Sequence, residues 1–305
     1  MSNGEACIAD CSRAPAFLLQ QFMGKPRDAH IIHPTMRKLI INADDLGADP
    51  ARNRGIFEAA QRGCVTDATI LVNMPGFDDA VSDKRIRTLP TGLHFNISEG
   101  RPVGGPYRTL TGPGGDFHGK DETWRRALAG ALEPSEVRAE AMAQLGLMRR
   151  AGVEPSHLDG HQHLQLVPCV AAGLISLPMP RRIRLVFEHP DGTIMSGPEK
   201  APFLNRAREM TAASLPLWVA AGWRWPASHL GAGLIGAVHP GSLLRLLDLA
   251  VEGITEFLVH PGYPQTDSLP FSSPEREIEL NALLDPRLRE GITARGITLA
   301  SWLHV

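Results

Sequence analysis

Cysteine is scarce in this sequence, and the few cysteines are not spaced like a disulfide framework. Four occur in 305 residues, at Cys7, Cys11, Cys64 and Cys169, without CxxC spacing. This low density excludes the disulfide scaffold of a small secreted domain. We expect Cys64 and Cys169, which have apolar or helical surroundings, to be small core residues. For Cys7 and Cys11, a disulfide and an incidental pair both stay open.

Long apolar runs and an excess of one charge are also absent. No stretch approaches the ~20 apolar residues of a membrane-spanning helix, and residues 1–36 lack the charged-then-apolar order of a signal peptide. The formal net charge of −2 gives no electrostatic reason to expect a nucleic-acid or anionic-membrane partner. These absences predict a cytoplasmic protein without a membrane span.

The length and the hydrophobic content are sufficient for one large domain. Hydrophobic residues make up 43% of the 305 residues, and α/β barrels of this size form a single core. Residues 1–36 have mixed polarity and no sustained period, so we expect an N-terminal extension that is partly disordered or serves an oligomer contact. The folded domain is predicted over residues 37–305, without internal repeats or low-complexity tracts.

Strand and helix signals alternate from residue 38 onward, which is typical of βα units around a parallel sheet. Strands are predicted at 38–42, 68–72, 91–97, 156–158, 183–187, 256–259 and 297–302. Helices are predicted at 51–62, 77–82, 134–152, after 168, and at 199–221, 243–251 and 274–284. Roughly seven such units predict an α/β fold, a complete or distorted TIM-barrel-like (β/α) barrel, with an open doubly wound sheet as the alternative. The glycine- and proline-rich stretch 100–119 is expected to be a loop that forms a lid or substrate wall.

Two adjacent carboxylates, Asp44 and Asp45, end the first predicted strand. Successive side chains of a strand point in opposite directions, so one carboxylate can bind a metal ion while the other acts on a water molecule. An isolated Asp-Asp pair more often caps a turn, here before Gly47. The metal-site interpretation therefore depends on the histidines.

A histidine-rich segment follows the fourth predicted strand. His157, Asp159, His161 and His163 fall within seven residues, and Gly160 allows a sharp turn between them. Two neutral imidazoles and one carboxylate, with positions left open for water and substrate, are the ligand set of a catalytic metal site. The segment therefore predicts a hydrolytic metal site.

Two further histidines lie on predicted strands. His94 lies in the third strand, where a lone histidine is more often a buried core residue. His260 ends an apolar strand before a Pro-Gly turn and should project from the same rim. Its imidazole suits protonation of a leaving amine, although donation to a backbone carbonyl is an equal alternative. The remaining histidines are expected on the surface or in loops: His30, His33, His118, His189, His229, His239 and His304.

Four of these segments resemble, in order, the motifs of the YdjC-like carbohydrate deacetylases, a family with chitooligosaccharide deacetylases and hopanoid-associated members. The segments are NADDLG at 42–47, GLHFNISEGRP at 92–102, HLDGHQH at 157–163 and VHPG at 259–262. The resemblance covers about residues 37–305. It implies a distorted (β/α) barrel and metal-dependent removal of an N-acetyl group from an amino sugar.

The resemblance also implies roles for individual residues. Asp45, His94 and His161 match the metal ligands of the family, and Asp44 matches the proposed general base. His260 resembles the proposed general acid. The expected cofactor is one divalent metal ion: the family is often assigned magnesium, whereas nitrogen donors favour zinc, cobalt or nickel.

Three other residues are expected around this set. Arg184 resembles an arginine of the family near the pocket, and Asp159 or His163 would fix the orientation of the imidazoles or contact the substrate. His157 and His163 are not expected to be ligands. The expected partner is an N-acetylated sugar or oligosaccharide.

Two other classes of function stay open. One is another metal-dependent amidase or esterase, for example on a lipid- or nucleotide-linked sugar, and the other is a carbohydrate-binding homologue without catalysis. The tryptophan-rich segment 205–236, with Trp218, Trp223 and Trp225, makes a homodimer plausible but could equally be core. This segment and the loop 100–119 are expected to frame the pocket.

Overall fold

The computed structural model describes residues 36–187, 200–265 and 273–305. The strands are β1 (Arg37–Leu46), β2 (Asp67–Ile70), β3 (Thr91–Phe95), β4 (Leu158–Gly160), β5 (Ser228–Leu230), β6 (Gly253–Val259) and β7 (Ile297–Leu299). The helices are α1 (Pro50–Arg62), α2 (Phe77–Ser82), α3 (Lys120–Leu128), α4 (Pro134–Arg150), α5 (Pro168–Leu174), α6 (Ala201–Ala220), α7 (Pro240–Leu246), α8 (Glu275–Leu284) and α9 (Pro286–Ala294). Several sequence-based predictions lie outside the described residues: the extension up to residue 35, Cys7, Cys11, His30, His33 and His189.

The strands form one parallel sheet in the order β4-β3-β2-β1-β6-β5. Strand β1 is central: it pairs with β6 along one side, and with β7 near its start and β2 near its end along the other. All but its first two residues are buried, as expected for a parallel strand that is covered on both faces.

Isolated bridges continue the sheet beyond β4 and curl it toward β5. Leu158 forms a parallel bridge with Ile183, and Arg182 forms one with Arg224. The backbone N–H of His229 in β5 then donates to the carbonyl of Phe187 at 3.4 Å. The predicted fold class, an α/β distorted TIM-barrel-like barrel, is therefore confirmed, and the open doubly wound alternative is wrong.

Local capping explains where α1 begins and ends. The Asp49 carboxylate accepts a hydrogen bond from the N–H of Arg52 at 2.8 Å, and Pro50 occupies the first turn. At the other end, the N–H of Gly63 donates to the carbonyl of Ala59 at 3.0 Å. These are the cap and stop signals expected from the sequence.

Some elements differ from the sequence-based prediction. The predicted strand 183–187 is not a regular strand and joins the sheet only through the bridge at Ile183 and single backbone hydrogen bonds of Arg184 and Phe187, and α3, α9 and β5 were not predicted. Strand β5 has three residues and α3 is mostly charged, so neither has enough apolar periodicity to be recognised. Their positions depend on packing against the rest of the fold.

Cysteine and tryptophan side chains contribute to the core. Cys64 is buried, and the half-buried Cys169 packs against the core, which confirms the prediction for both. Trp218 and Trp223 are buried and pack edge to face with ring centroids 5.2 Å apart. The half-buried Trp225 also packs against the core. No helix within the described ranges is both long and apolar enough to cross a membrane.

The C-terminal residues cover the amino ends of the strands. The ring of Trp302 stacks on His157, with centroids 4.3 Å apart. The Asp67 carboxylate, at the start of β2, accepts hydrogen bonds from the Ser301 hydroxyl at 2.8 Å and the Trp302 N–H at 3.0 Å. His157 is therefore at the opposite end of the sheet from the residues that end β1 and β4.

Candidate metal centre

The carboxyl ends of β1, β3 and β4 bring acidic and imidazole side chains together. The pairing of β1 with β2 shifts register between Ala43 and Leu46, so Asp44 and Asp45 lie at an irregularity that can point adjacent side chains to different places. Asp45 has a left-handed backbone with φ of 69°. Its side chain points to His94 and His161, while that of Asp44 turns to Arg184.

Three donor atoms of Asp45, His94 and His161 form a nearly equilateral triangle. Asp45 Oδ1 lies 3.5 Å from His94 Nε2 and 3.3 Å from His161 Nδ1, and the two nitrogens are 3.3 Å apart. All three side chains are buried. A tetrahedral ion with bonds of about 2.0–2.1 Å holds its ligands about 3.3 Å apart. The three residues therefore fit one face of a tetrahedral divalent ion.

Each imidazole of the triangle is held through its other nitrogen. His94 Nδ1 lies 2.6 Å from Asp159 Oδ1 and 3.2 Å from the Thr69 hydroxyl. His161 Nε2 lies 3.3 Å from Glu99 Oε2, and Gln162 donates to the other Glu99 oxygen at 2.8 Å. Such partners fix the tautomer and direction of metal-binding histidines.

The carboxylate of the triangle is held in the same way. Arg276 Nη2, on α8, donates to Asp45 Oδ2 at 2.6 Å, which leaves Oδ1 to face the imidazoles. Glu99 and Arg276 were missed by the sequence analysis. Glu99 belongs to the motif segment 92–102, so the motif could have identified it as a site residue. Arg276 lies outside the four motif segments, and the sequence gives no such signal for it.

Asp44 has different surroundings from Asp45. Arg184 contacts both of its oxygens, at 2.6 and 2.9 Å, and Asn42 donates to Oδ1 at 2.8 Å. Burial raises the pKa of the Asp44 carboxyl, but the Arg184 guanidinium and nearby His94 lower it further, so its pKa is below the ordinary value. Asp44 is therefore an ionised carboxylate with a fixed orientation.

A second group of three residues, Asp44, His94 and Asp159, also has donor atoms close together. However, the Arg184 guanidinium lies 2.6 Å from Asp44 and 2.7 Å from Asp159. A guanidinium already contacts both carboxylates, so the first triangle is the better candidate for a metal ion.

The charges of the site shift the pKa values of its imidazoles. Burial opposes protonation of His94, but Asp159 and Asp44 raise its pKa to about 10. Burial lowers the pKa of His260 to about 4 and, with Arg184, lowers that of His163 well below its ordinary value. Burial also lowers the pKa of His161, but Asp45 and Glu99 raise it above its ordinary value. Without an ion, His94 is protonated at pH 7, while His163 and His260 are neutral.

Strained backbone is concentrated at this site. Among the described non-glycine residues, only Asp45, Gln162 and His163 have positive φ, at 69°, 56° and 59°. Left-handed backbone costs about 1–3 kcal/mol per residue and persists only where the surroundings enforce it. In the histidine-rich segment it turns the chain directly after His161, so the short 3-10 segment His161–Leu166 departs from helical geometry.

A pocket of about 530 Å³ opens over the triangle. Its floor is formed by Asp44, Asp45, His94, His161, His163 and His260. Its walls include Lys120, Trp124, Arg125 and Leu128 from α3, Phe203 and Arg206 from α6, Ile235, and Arg276 from α8. Segment 205–236 thus contributes to the pocket, as expected.

The loop 100–119 does not form a wall of this pocket, and that expectation was wrong. No residue of the loop lines it, and α3 takes the place instead. The loop is held against α4, because the Glu140 carboxylate accepts from the N–H groups of Val103 and Gly104, each at 2.9 Å. The buried Glu140 therefore anchors this part of the loop to α4.

His229 was predicted on the surface or in a loop, and this was wrong. It lies in β5, is buried, and its Nδ1 is 3.2 Å from Glu256 Oε2. Glu256 also binds Arg184 at 2.7 Å, so His229 belongs to the buried charge network beneath the pocket. A strand of three residues has no periodic signal that could have shown this.

Comparisons with known proteins agree with this geometry. The family described as YdjC-like protein matches residues 38–294. A carbohydrate deacetylase of Homo sapiens is 36% identical over 294 residues, with 88% of this chain and 90% of the relative covered. A chitooligosaccharide deacetylase of Serratia marcescens is 30% identical over 272 residues, with 87% and 97% covered.

A solved structure shows the same fold. It is a protein of Enterococcus faecalis V583 named provisionally for cellobiose-phosphate cleavage, and it matches with a TM-score of 0.71 and 27% identity. The match covers 88% of this chain and 98% of that protein. The family predicted from four short motifs is thus confirmed, and the chain belongs to the YdjC-like family.

Proposed function

We propose that this protein is a metal-dependent carbohydrate deacetylase that removes an N-acetyl group from an amino sugar or an amino-sugar-containing glycoconjugate. The observation that carries the proposal is the buried triangle of Asp45, His94 and His161 at the floor of a pocket that Asp44 and His260 also line. Relatives named carbohydrate deacetylase and chitooligosaccharide deacetylase support it.

Asp45, His94 and His161 would hold one divalent ion. When bound, such an ion polarises a carbonyl oxygen and stabilises the negative charge that develops on it. Two nitrogen donors and separations of 3.3–3.5 Å favour zinc, with cobalt or nickel as substitutes. Magnesium prefers oxygen ligands in an octahedron, where neighbouring ligands lie about 2.9 Å apart.

Asp44 would accept the proton of the attacking water. Its carboxylate lines the pocket, and the two contacts to Arg184 keep it ionised and fix its direction. A carboxylate with a lowered pKa is a weak base, so the proton must move on as the amine leaves.

His260 would deliver a proton to the leaving amine. Burial lowers the pKa of His260 to about 4, so the imidazole is neutral at pH 7 before the reaction. The proton that Asp44 accepts from the water would therefore pass to His260, which would give it to the nitrogen as the C–N bond breaks and return to its neutral form. In this scheme His163, a neutral imidazole that lines the pocket, contacts the substrate, and Asp159 orients His94.

The remaining proposals concern the domain bounds, the cellular location and the oligomeric state. We place the catalytic domain at residues 37–305, with an extension at 1–36, because the family match spans residues 38–294. A cytoplasmic location and a homodimer stay predictions.

Acetate release tests the proposed function. Protein stripped with a chelator should lose acetate release from a panel of N-acetylated chitooligosaccharides and regain it with added zinc. Activity that survives complete metal removal would contradict the mechanism. If only ester or lipid-linked substrates are cleaved, the chain is a different hydrolase, and binding without turnover of any substrate would identify a non-catalytic homologue.

The role of Asp44 needs its own variant. Asp44→Asn should abolish turnover while the bound metal stays near one ion per chain. The exposed Asp116→Asn is the matched control and should keep both activity and metal. Loss of metal in Asp44→Asn would reassign Asp44 as a ligand.

A further inference from the structure

Helix α8 presents two buried polar side chains to the site. Arg276 and Glu279 lie three residues apart, which places them on the same helix face, and their exposed fractions are 6% and 2%. Neither belongs to the motif segments. The roles proposed for them below rest on the proposed function and extend it to residues outside the ligands and catalytic groups.

Arg276 determines which oxygen of Asp45 is available. Its Nη2 donates to Oδ2 at 2.6 Å, whereas Oδ1 faces His94 and His161 at 3.5 and 3.3 Å. A guanidinium that holds one oxygen in a charge-assisted hydrogen bond prevents rotation of the carboxylate. Asp45 can then offer a single oxygen to an ion, although its backbone is strained at φ of 69°.

Glu279 acts at a different residue that lines the pocket, His260. Its Oε1 accepts a hydrogen bond from the backbone N–H of His260 at 2.6 Å. The next turn is also bound to α8, because the N–H of Gly262 donates to the carbonyl of Arg276 at 3.2 Å. These two bonds connect the His260–Gly262 turn to α8, the helix whose Arg276 also binds the Asp45 carboxylate.

The opposite face of the turn is closed by α1. A Cβ atom at Gly55 would lie 2.6 Å from the Cα of Gly262, so the two backbones are in direct contact. The turn is thus enclosed between α1 and α8 and has little room to shift while Glu279 and Gly262 keep their bonds. The position of the His260 imidazole follows from that of its backbone.

We propose that α8 is a positioning element with two separable roles: Arg276 directs one oxygen of Asp45 toward the metal ion, and Glu279 fixes the turn that carries His260. Neither residue needs to contact the reacting atoms. Removal of each should therefore have a different measurable effect.

Arg276→Lys tests the first role because it keeps the positive charge and loses the guanidinium geometry. We expect the Kd for zinc, measured by calorimetry on metal-free protein, to rise about tenfold. We also expect the visible spectrum of the Co²⁺-loaded variant to lose intensity as Asp45 rotates to offer both oxygens. The control is Arg287→Lys, an exposed ion pair with Asp285. An unchanged Kd and spectrum in Arg276→Lys would overturn this role.

Glu279→Leu and Glu279→Gln test the second role. Glutamine keeps an oxygen that accepts from the His260 N–H, whereas leucine leaves this buried donor without a partner. We expect kcat to fall about 10- to 100-fold in the leucine variant and less than about threefold in the glutamine variant. The zinc Kd, the Co²⁺ spectrum and KM should stay unchanged in both. Wild-type kcat in Glu279→Leu, or joint loss of kcat and zinc affinity, would overturn the role.

The two levels of proposal can fail separately. If the wild-type protein releases acetate from no N-acetylated sugar, the proposed function fails, and the Co²⁺ spectrum still decides the role of Arg276. If the wild type is active and Glu279→Leu is equally active, only the role of Glu279 fails. Midpoints of urea unfolding, measured on the metal-free variants, identify any that do not fold.

Discussion

Asp159 Oδ1 lies 2.6 Å from His94 Nδ1, and both side chains are buried. The two residues are direct partners in the pairing of β3 with β4, so sheet register sets their distance although they are 65 positions apart. Because Nδ1 is engaged, Nε2 is the nitrogen that faces Asp45 and His161. The direction of this imidazole is thus a consequence of strand pairing.

Replacing Asp159 by Asn should weaken metal binding. The amide has nearly the same shape but no charge, so it makes His94 a poorer donor and orients it less firmly. We expect the Kd for zinc to rise about 10- to 100-fold, measured by calorimetry on metal-free protein. Asp116→Asn, at an exposed carboxylate, should bind like the wild type. Equal Kd values for Asp159→Asn and the wild type would show that Asp159 does not orient His94 for a metal ion.

Replacing Arg184 by Met should destabilise the fold. Arg184 is fully buried and contacts the carboxylates of Asp44, Asp159 and Glu256 at 2.6–2.7 Å. Its loss leaves three buried carboxylates without their guanidinium partner, which costs about 3–5 kcal/mol of unfolding free energy. Urea denaturation of the metal-free protein measures this. Arg287→Met, at an exposed ion pair, should cost less than about 0.5 kcal/mol, and a similarly small loss in Arg184→Met would contradict the prediction.

Replacing Trp124 by Ala should impair substrate binding more than turnover. Lys120, Trp124 and Leu128 follow one another at four-residue intervals along the pocket face of α3, and the Trp124 ring is half-buried there. An aromatic face packs against the apolar face of a sugar ring. We expect KM for an N-acetylated chitooligosaccharide to rise about tenfold, a loss of about 1.4 kcal/mol, with kcat nearly unchanged.

Phenylalanine provides the comparison for this position. Trp124→Phe keeps an aromatic ring and should recover most of the affinity. Trp225→Phe alters a half-buried tryptophan outside the site pocket and should leave KM unchanged. A wild-type KM in Trp124→Ala would mean that the sugar does not contact this helix.

Replacing Asp67 by Asn should change how stability depends on pH. Burial raises the pKa of the Asp67 carboxyl from 3.8 to about 6 in the folded protein. The folded state therefore binds this proton more tightly than the unfolded state. This contribution to stability is complete below pH 3.8 and is lost as the pH rises to about 6.

The asparagine variant lacks this titration. Its unfolding free energy, relative to the wild type, should increase by about 2 kcal/mol between pH 4 and pH 7. Asp67→Ala should show the same pH dependence but lower stability at every pH, because it loses the acceptor for Ser301 and Trp302. A wild-type-minus-variant difference that is constant with pH would refute the raised pKa.

The elements with strong local signals were predictable from the sequence. Helix α2 has the predicted bounds Phe77–Ser82, and α1 begins at a proline after an aspartate cap. Weakly patterned elements were not predictable: β5 has three residues, and α3 is mostly charged. Propensity is a small bias per residue, so short elements depend on tertiary packing.

The sequence alone determined which residues end the parallel strands. Asp44 and Asp45 end β1 and His260 follows β6, and the carboxyl ends of parallel strands meet at one edge of a barrel. Because this rule requires only that the strands are parallel, the motif residues could be assigned to one site without coordinates.

Only the tertiary structure decided which contacts hold that site in place. Arg276 reaches Asp45 across 231 positions of sequence, and Arg184 reaches Asp44 across 140. A hydrogen bond between side chains requires a separation near 3 Å, and no local pattern encodes that distance for residues so far apart. Glu279 lies only 19 positions from His260, but its contact, like the burial of His229, likewise depends on how the elements pack and not on a local pattern.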